Sequence, residues 1–266
     1  MPAHCEFDVT QRTFYFPRTF VDRPRLAHGL RQLDVANNAN IRVSSTFHNL
    51  TKSSADCDII TWSDTTLGTA VTSVFAIAPG ELDILTGEHM RSLWKDPTAP
   101  SSVRIDFERP FQTPPKVVVF LNCIDLERSR NWRLQATASD IDVDGFTLYV
   151  GPYLDTIFYA ARVGWIAYPE DREHIFSTSV STLDLCPVDQ PQQRHSQEIS
   201  ISLDSVNFHK TPSVFVALNS FDIGCNANFR INAYVKNVSK TSLVWHIDTY
   251  ADTVLYSAGA TIIAFN

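Results

Sequence analysis

The chain has 266 residues, 44% hydrophobic and 19% charged, with a formal net charge of −7. This is an ordinary globular composition. The negative balance argues against a dedicated nucleic-acid binder, because phosphate contacts need concentrated Lys and Arg. No apolar run approaches the ~18 residues of a membrane span, so no direct membrane insertion is expected.

Taken in chain order, the elements read as β throughout. The N-terminus, "MPAHCEFDVTQR", has no apolar leader segment; the expectation is a cytoplasmic protein, or one released by an unconventional route. A short strand, "TFYF", opens the first repeat, and a Phe20/Pro24 corner follows. "DVANNANIR" is a polar loop from Asp34 to Arg42. Beyond it Arg42, Ser44 and Thr46 alternate with Val43, Ser45 and Phe47, the period of a strand with one dry face. A turn, "LTKS", leads to another strand. The loop holding Trp62, Asp64 and Thr65 leads to the last.

Residues 80–98, with Gly80, Gly87 and Pro97, read as an irregular connector wrapping over a neighbour. The pattern then restarts with "VRIDF", a Phe111/Pro115 corner and the buried run "KVVVFLN". The charged loop Asp125–Arg133 follows, then Arg133, Gln135 and Thr137 alternating with Leu134, Ala136 and Ala138. "DIDVDG" starts like a calcium loop, but its twelfth position is Gly151 rather than Glu, so a hairpin turn is expected and no metal. Tyr153, Asp155 and Thr156 precede "ARVGWIAY". A second irregular connector, 169–196, leads to "ISISL", a Phe208/Pro212 corner, "SVFVALN", the loop Asp222–Arg230, and Tyr250, Asp252 and Thr253 before "GATIIAF".

The offsets repeat. Each Arg lies eight residues after an Asp, two after an Asn (Asn40, Asn131, Asn228), and twenty-two before an Asp-Thr pair. An aromatic stands two before each of those Asp residues. The chain is an internal triplication with a period of about ninety residues, right for small domains. The domain boundaries expected are 1–79, 80–169 and 170–266. The fold class is all-β: three tandem six-stranded antiparallel β-sandwich domains.

Each Arg begins a strand on its wet face, and the aromatic and Asp-Thr precede the last strand. In a six-stranded sandwich these loops can share an end, joining a guanidinium, a carboxylate and an aromatic face. That trio suits a sugar, with hydrogen-bonding partners for hydroxyls and a ring for its C–H patch. The competing reading is structural. The Arg residues would pin their own loops as ion pairs, and Asp34, Asp125 and Asp222 would make turns at strand exits. The Asp-Thr pairs would also be turn chemistry, and Trp165 and Phe111 are core.

No nucleophile elbow, HExxH or Cys-x-x-Cys appears, and the eight His residues do not recur in register. No catalytic residue, cofactor or metal is therefore expected. Five cysteines, at 5, 57, 123, 186 and 225, read as free thiols of a reducing compartment. The two sequons, at Asn49 and Asn237, matter only in a secreted chain.

Residues 107–168 resemble the H-type lectin domain of snail agglutinins and the C-terminal part of discoidins. The likeness rests on the aromatic-rich first strand, Pro114-Pro115 before the Val run, the Asp-x7-Arg loop, Gly145-Phe146 and Trp165-Ile166. It extends over 101–168, less closely over 196–266, and less again over 12–79. It implies a six-stranded sandwich that forms parallel trimers and binds galactose or N-acetylgalactosamine near protomer boundaries. Three copies in one chain would then form an intramolecular pseudo-trimer, burying each unit's side surface.

The sugar-binding Arg of the family matches Arg42, Arg133 and Arg230. Its Trp-His pair matches Trp62-Ser63, Tyr153-Leu154 and Tyr250-Ala251, so the aromatic is kept and the His is not. Its further Tyr matches Tyr159 and Tyr256, with Gly68 in the first unit. Its sugar-gripping Asp, placed before the first strand, would be Asp96 in the second unit and, less closely, Asp189 in the third. The first unit has too little chain before it to supply one. The candidate carbohydrate site is thus Arg42, Arg133, Arg230, Trp62, Tyr153, Tyr250, Asp64, Asp155, Asp252, Asp96, Tyr159 and Tyr256. The expected partners are glycans on glycoproteins or glycolipids and no nucleic acid, with further self-association of pseudo-trimers left open. The alternative is a non-catalytic interaction scaffold whose sugar sites have degenerated.

Overall fold

The computed structural model of the chain describes residues 3–7, 12–185 and 196–266. The first unit contains β1 (Ala3–Phe7), β2 (Arg12–Tyr15), β3 (Arg25–Val35), β4 (Ile41–His48), β5 (Ser54–Ile60) and β6 (Leu67–Ile77). The second contains β7 (Leu85–Ser92), β8 (Ser102–Asp106), β9 (Lys116–Leu126), β10 (Trp132–Ser139), β11 (Gly145–Gly151) and β12 (Phe158–Tyr168). The third contains β13 (Ile175–Ser181), β14 (Ser196–Ser202), β15 (Ser213–Ile223), β16 (Phe229–Lys236), β17 (Ser242–Asp248) and β18 (Leu255–Phe265).

These strands form three six-stranded antiparallel sheets, and every sheet is shared by two units: β1-β6-β3-β16-β17-β14, β13-β18-β15-β10-β11-β8 and β2-β5-β4-β9-β12-β7. Each unit is thus a sandwich of two three-stranded halves. In the second unit, Phe146 of β11 packs edge-on against Trp165 of β12, centroids 5.6 Å apart, and Phe107 lies against both. The seams between units are strand pairs: β4 on β9, β10 on β15, and β16 on β3. The third seam returns to the first unit, so the ring closes.

Two expectations fail here. The connectors 80–98 and 169–196 were read as irregular, yet each holds a strand, β7 and β13, paired along β12 and β18. Both are edge strands with little buried surface, so their sequences carry no alternating apolar signal; their order comes from the neighbour's backbone. The first unit also has chain enough for its own such strand, because β1 pairs with β6.

Where the units meet on the pseudo-threefold axis, equivalent positions form a second core. Ala27, Val118 and Phe215 make one set; Phe75, Ile166 and Ile263 another; Ile77, Tyr168 and Phe265 a third. The set between them is Gly29, Phe120 and Ala217, and it is asymmetric. A Cβ on Gly29 would lie 2.5 Å from the Ala217 Cβ and 2.9 Å from Phe120, and one on Gly164 would lie 2.4 Å from the Phe120 ring. The Phe120 ring occupies the space these glycines leave. A polar tie adds to the asymmetry: Arg162 donates to the Asn122 side chain at 2.8 Å, to Ser44 Oγ at 2.9 Å and to the Ser45 carbonyl at 2.7 Å. Its counterparts, Val71 and Gly259, can make no such tie. The three units have diverged into parts that fit one another in one order.

The hairpin turns explain the sequons. Asn49, Asp140 and Asn237 occupy equivalent positions with φ of 48°, 48° and 51°, a conformation that Asn and Asp tolerate best after Gly. Thr51 and Ser239 accept from the amides of Ser54 and Ser242, both at 2.9 Å. Turn chemistry therefore accounts for these residues.

Candidate functional site

Arg42, Arg133 and Arg230 are each the second residue of their strand, after the fully buried Ile41, Trp132 and Phe229. Alternation turns them away from the core toward the seam. Directly across that seam lies an Asp of the next unit: Asp125 opposite Arg42, Asp222 opposite Arg133, Asp34 opposite Arg230. The Nε-to-carboxylate distances are 3.7, 3.2 and 3.5 Å. On its other side each Arg donates Nη1 to its own unit's Asp, to Asp64 at 2.7 Å, Asp155 at 2.6 Å and Asp252 at 2.6 Å. The structural ion pair is therefore real, but it joins two units rather than closing one loop. Asp34, Asp125 and Asp222 lie within strands, not in turns.

The other motif residues complete a clasp. Thr65, Thr156 and Thr253 donate to the carbonyls of Asn40, Asn131 and Asn228 at 2.7, 2.5 and 2.7 Å, tying the two loops of one unit. The side-chain oxygens of the same Asn residues accept amides of the next unit's loop: Arg128 at 3.2 Å, Cys225 at 3.3 Å and Asn37 at 3.3 Å. The position after each aromatic is left-handed: Ser63, Leu154 and Ala251 have φ of 59°, 55° and 55°. Each non-glycine residue there carries strain of about 1 kcal/mol, which the Thr bond and ion pair hold in place. Leu154, standing where the resemblance implies a His, is 82% exposed.

The clasp buries most of each guanidinium, with side-chain exposures of 15%, 11% and 15%, yet leaves chemistry free. No Nη2 of the three makes a hydrogen bond among the described residues. The carboxylates of Asp64, Asp155 and Asp252 are 71%, 61% and 72% exposed. Hydrogen bonds from Arg42 and Arg230 hold Asp64 and Asp252 below the ordinary carboxylate range. Burial pushes Asp125 and Asp222 above it, against the pull of Arg42 and Arg133. Every boundary thus offers guanidinium N–H donors and an exposed carboxylate side by side.

The aromatics differ between boundaries. Trp62 is 36% exposed. Tyr153 is half-buried, and burial, with the charge of Asp222 from the third unit, pushes its hydroxyl above the ordinary value. Tyr250 donates its hydroxyl to Asp34 at 2.8 Å and lies under Arg230, 5.5 Å from the guanidinium carbon. Burial and that hydrogen bond push its hydroxyl to about 12. Tyr159 and Tyr256 sit at β-bulges beside Asp125 and Asp222, so each belongs to the preceding unit's Arg. Asp96 makes a local turn, accepting from the Thr98 amide at 2.9 Å and hydroxyl at 2.6 Å; no contact with the Arg residues is among its bonds. Asp189 lies outside the described residues. The seam Asp residues were missed as site residues, although the period in the sequence marked them.

All three boundaries face one end of the molecule. The last residues of β6, β12 and β18 converge on the axis, so the loops before those strands lie at the other end. Four cavities, one of about 490 Å³ between Leu85, Phe111 and Pro169, open where those strands finish, away from the clasps.

The family model for the H-type lectin domain matches the chain three times, at residues 11–77, 102–168 and 199–265. No curated protein matches it.

Proposed function

The chain belongs to the H-type lectin family, and from that premise we propose that it recognises terminal galactose or N-acetylgalactosamine at the three boundaries between its units. The observation that carries this reading is the free Nη2 of each clasped Arg beside an exposed Asp carboxylate, with the Tyr250 ring against Arg230 at one boundary. Adjacent sugar hydroxyls accept from the first and donate to the second, while the aromatic meets the C–H face. The buried Asp across the seam is a positioning residue: it fixes the Arg fork before any ligand arrives. Single sites bind weakly, and three facing one way gain by avidity on clustered glycans of glycoproteins or glycolipids. The reading is non-catalytic. It divides the chain at 79/80 and 169/170, supported by the pairing of β7 and β13 with the units that follow them.

Acid should release the ligand. The raised Asp125 and Asp222 carboxyls take up protons while the pH is still above the ordinary value of 3.8. The lowered Asp64 and Asp252 remain ionised there. Binding that needs the ionised anchors is present above their raised pKa and lost as pH falls through it. Stability moves the other way for these two groups, because burial disfavours their charged form. Retention on immobilised galactose and N-acetylgalactosamine should therefore fall before unfolding begins. Retention unchanged until the protein unfolds would contradict the role given to the seam Asp residues.

A further inference from the structure

The three boundaries differ most at Trp94. It lies two residues past β7, is 69% exposed, and stacks on Tyr159 with centroids 4.7 Å and planes 25° apart. β7 reaches this point because it stays on β12 as far as Ser92, opposite Ala160, and the Leu93 amide then donates to the Tyr159 carbonyl at 2.8 Å. The counterpart strand β13 ends earlier, with Ser181 opposite Gly259, where a 3-10 turn, Thr182–Asp184, carries the chain away. Tyr256 has no ring stacked on it among the described residues. The first unit has Gly68 instead of a Tyr, and there Tyr250 caps Asp34 from the other side.

Trp94 is also joined to the Arg42 cluster. Tyr159, on which its indole stacks, sits at the bulge beside Asp125, which the Arg42 guanidinium faces across the seam at 3.7 Å. One face of the ring is held by Tyr159, and the residue otherwise lies in water. A large aromatic fixed in this way presents a flat apolar surface beside polar donors with little entropy left to lose on binding.

We propose that the boundary between the first and second units carries an extension subsite, with Trp94 as its platform, that takes the second ring of a glycan whose terminal sugar is held by Arg42 and Asp64. The inference rests on the glycan reading above. This boundary selects oligosaccharides, and among the described residues the other two have no stacked counterpart of Trp94.

The test is an NMR titration of the full chain with galactose, N-acetylgalactosamine, and β-linked disaccharides ending in each. The tightest site should prefer a disaccharide by about tenfold, equivalent to 1.4 kcal/mol. Trp94→Ala should erase that preference and leave monosaccharide affinity unchanged, and Trp94→Tyr should restore most of it. A merely structural Trp94 would lower stability and leave the preference intact, which overturns the subsite. Monosaccharide binding with no disaccharide preference in the wild type overturns the subsite and spares the glycan reading. No binding by any probe overturns both.

Discussion

Replacing Arg133 by Ala should destabilise the protein by about 3 kcal/mol and silence the boundary between the second and third units. The loss of stability follows from Asp222, whose carboxylate is 15% exposed and would lose its ion pair across the seam. The loss of binding follows from the missing fork. Two companion variants separate the effects. Arg133→Lys keeps a charge near Asp222, so stability is largely retained, but one ammonium cannot hold Asp222, Asp155 and a ligand at once. Ligand affinity at that boundary should fall about tenfold. Asp155→Asn removes an exposed partner and should cost less than about 1 kcal/mol. Chemical denaturation and glycan retention, read on the same samples, check all three. Full retention by Arg133→Ala would remove Arg133 from the site.

The second large effect is expected on the axis. Phe120 is fully buried, and its ring packs on Phe215 of the third unit at 5.0 Å. Phe120→Ala should destabilise by about 3–5 kcal/mol. Gly164→Ala should cost about 1–3 kcal/mol by overpacking, since the three atoms nearest its Cβ would all belong to the Phe120 ring. Phe120→Leu shortens that ring, so the double variant Gly164→Ala/Phe120→Leu should lose less than the sum of the singles. Because the three units share this core and their sheets, fluorescence and circular dichroism should report one transition. Additive losses would contradict the contact, and separate transitions would contradict the shared core.

The sequence made the strands, the triplication and the residue types of the site legible, because alternation and fixed offsets are local signals. Trp62, Tyr153, Tyr250 and the Asp-Thr pairs were found this way. Which unit's Asp meets which unit's Arg was not legible. Arg42 and Asp125 are brought together by the pairing of β4 with β9, and an offset within one repeat cannot reveal a partner in the next. Asp125 was assigned to a turn for that reason. β7 and β13 were hidden because each buries only its end or two residues along one face, among Ser, Thr, Gly and charged residues, and so shows a weak hydrophobic period. Trp94 was hidden with β7: a lone Trp after an unrecognised strand has no position until the strand does. The family resemblance supplied the pseudo-trimer, and strand pairing between units gives that assembly its physical basis.

The central claim is that the clasped arginines bind sugars, and a glycan array with the labelled chain and an Arg42→Lys/Arg133→Lys/Arg230→Lys variant tests it most directly. The account predicts binding to galactose- or N-acetylgalactosamine-terminated glycans by the wild type and its loss in the folded triple variant. A blank array from the folded wild type, or an identical profile from the variant, would contradict it, leaving a scaffold whose clasps hold only its own units together.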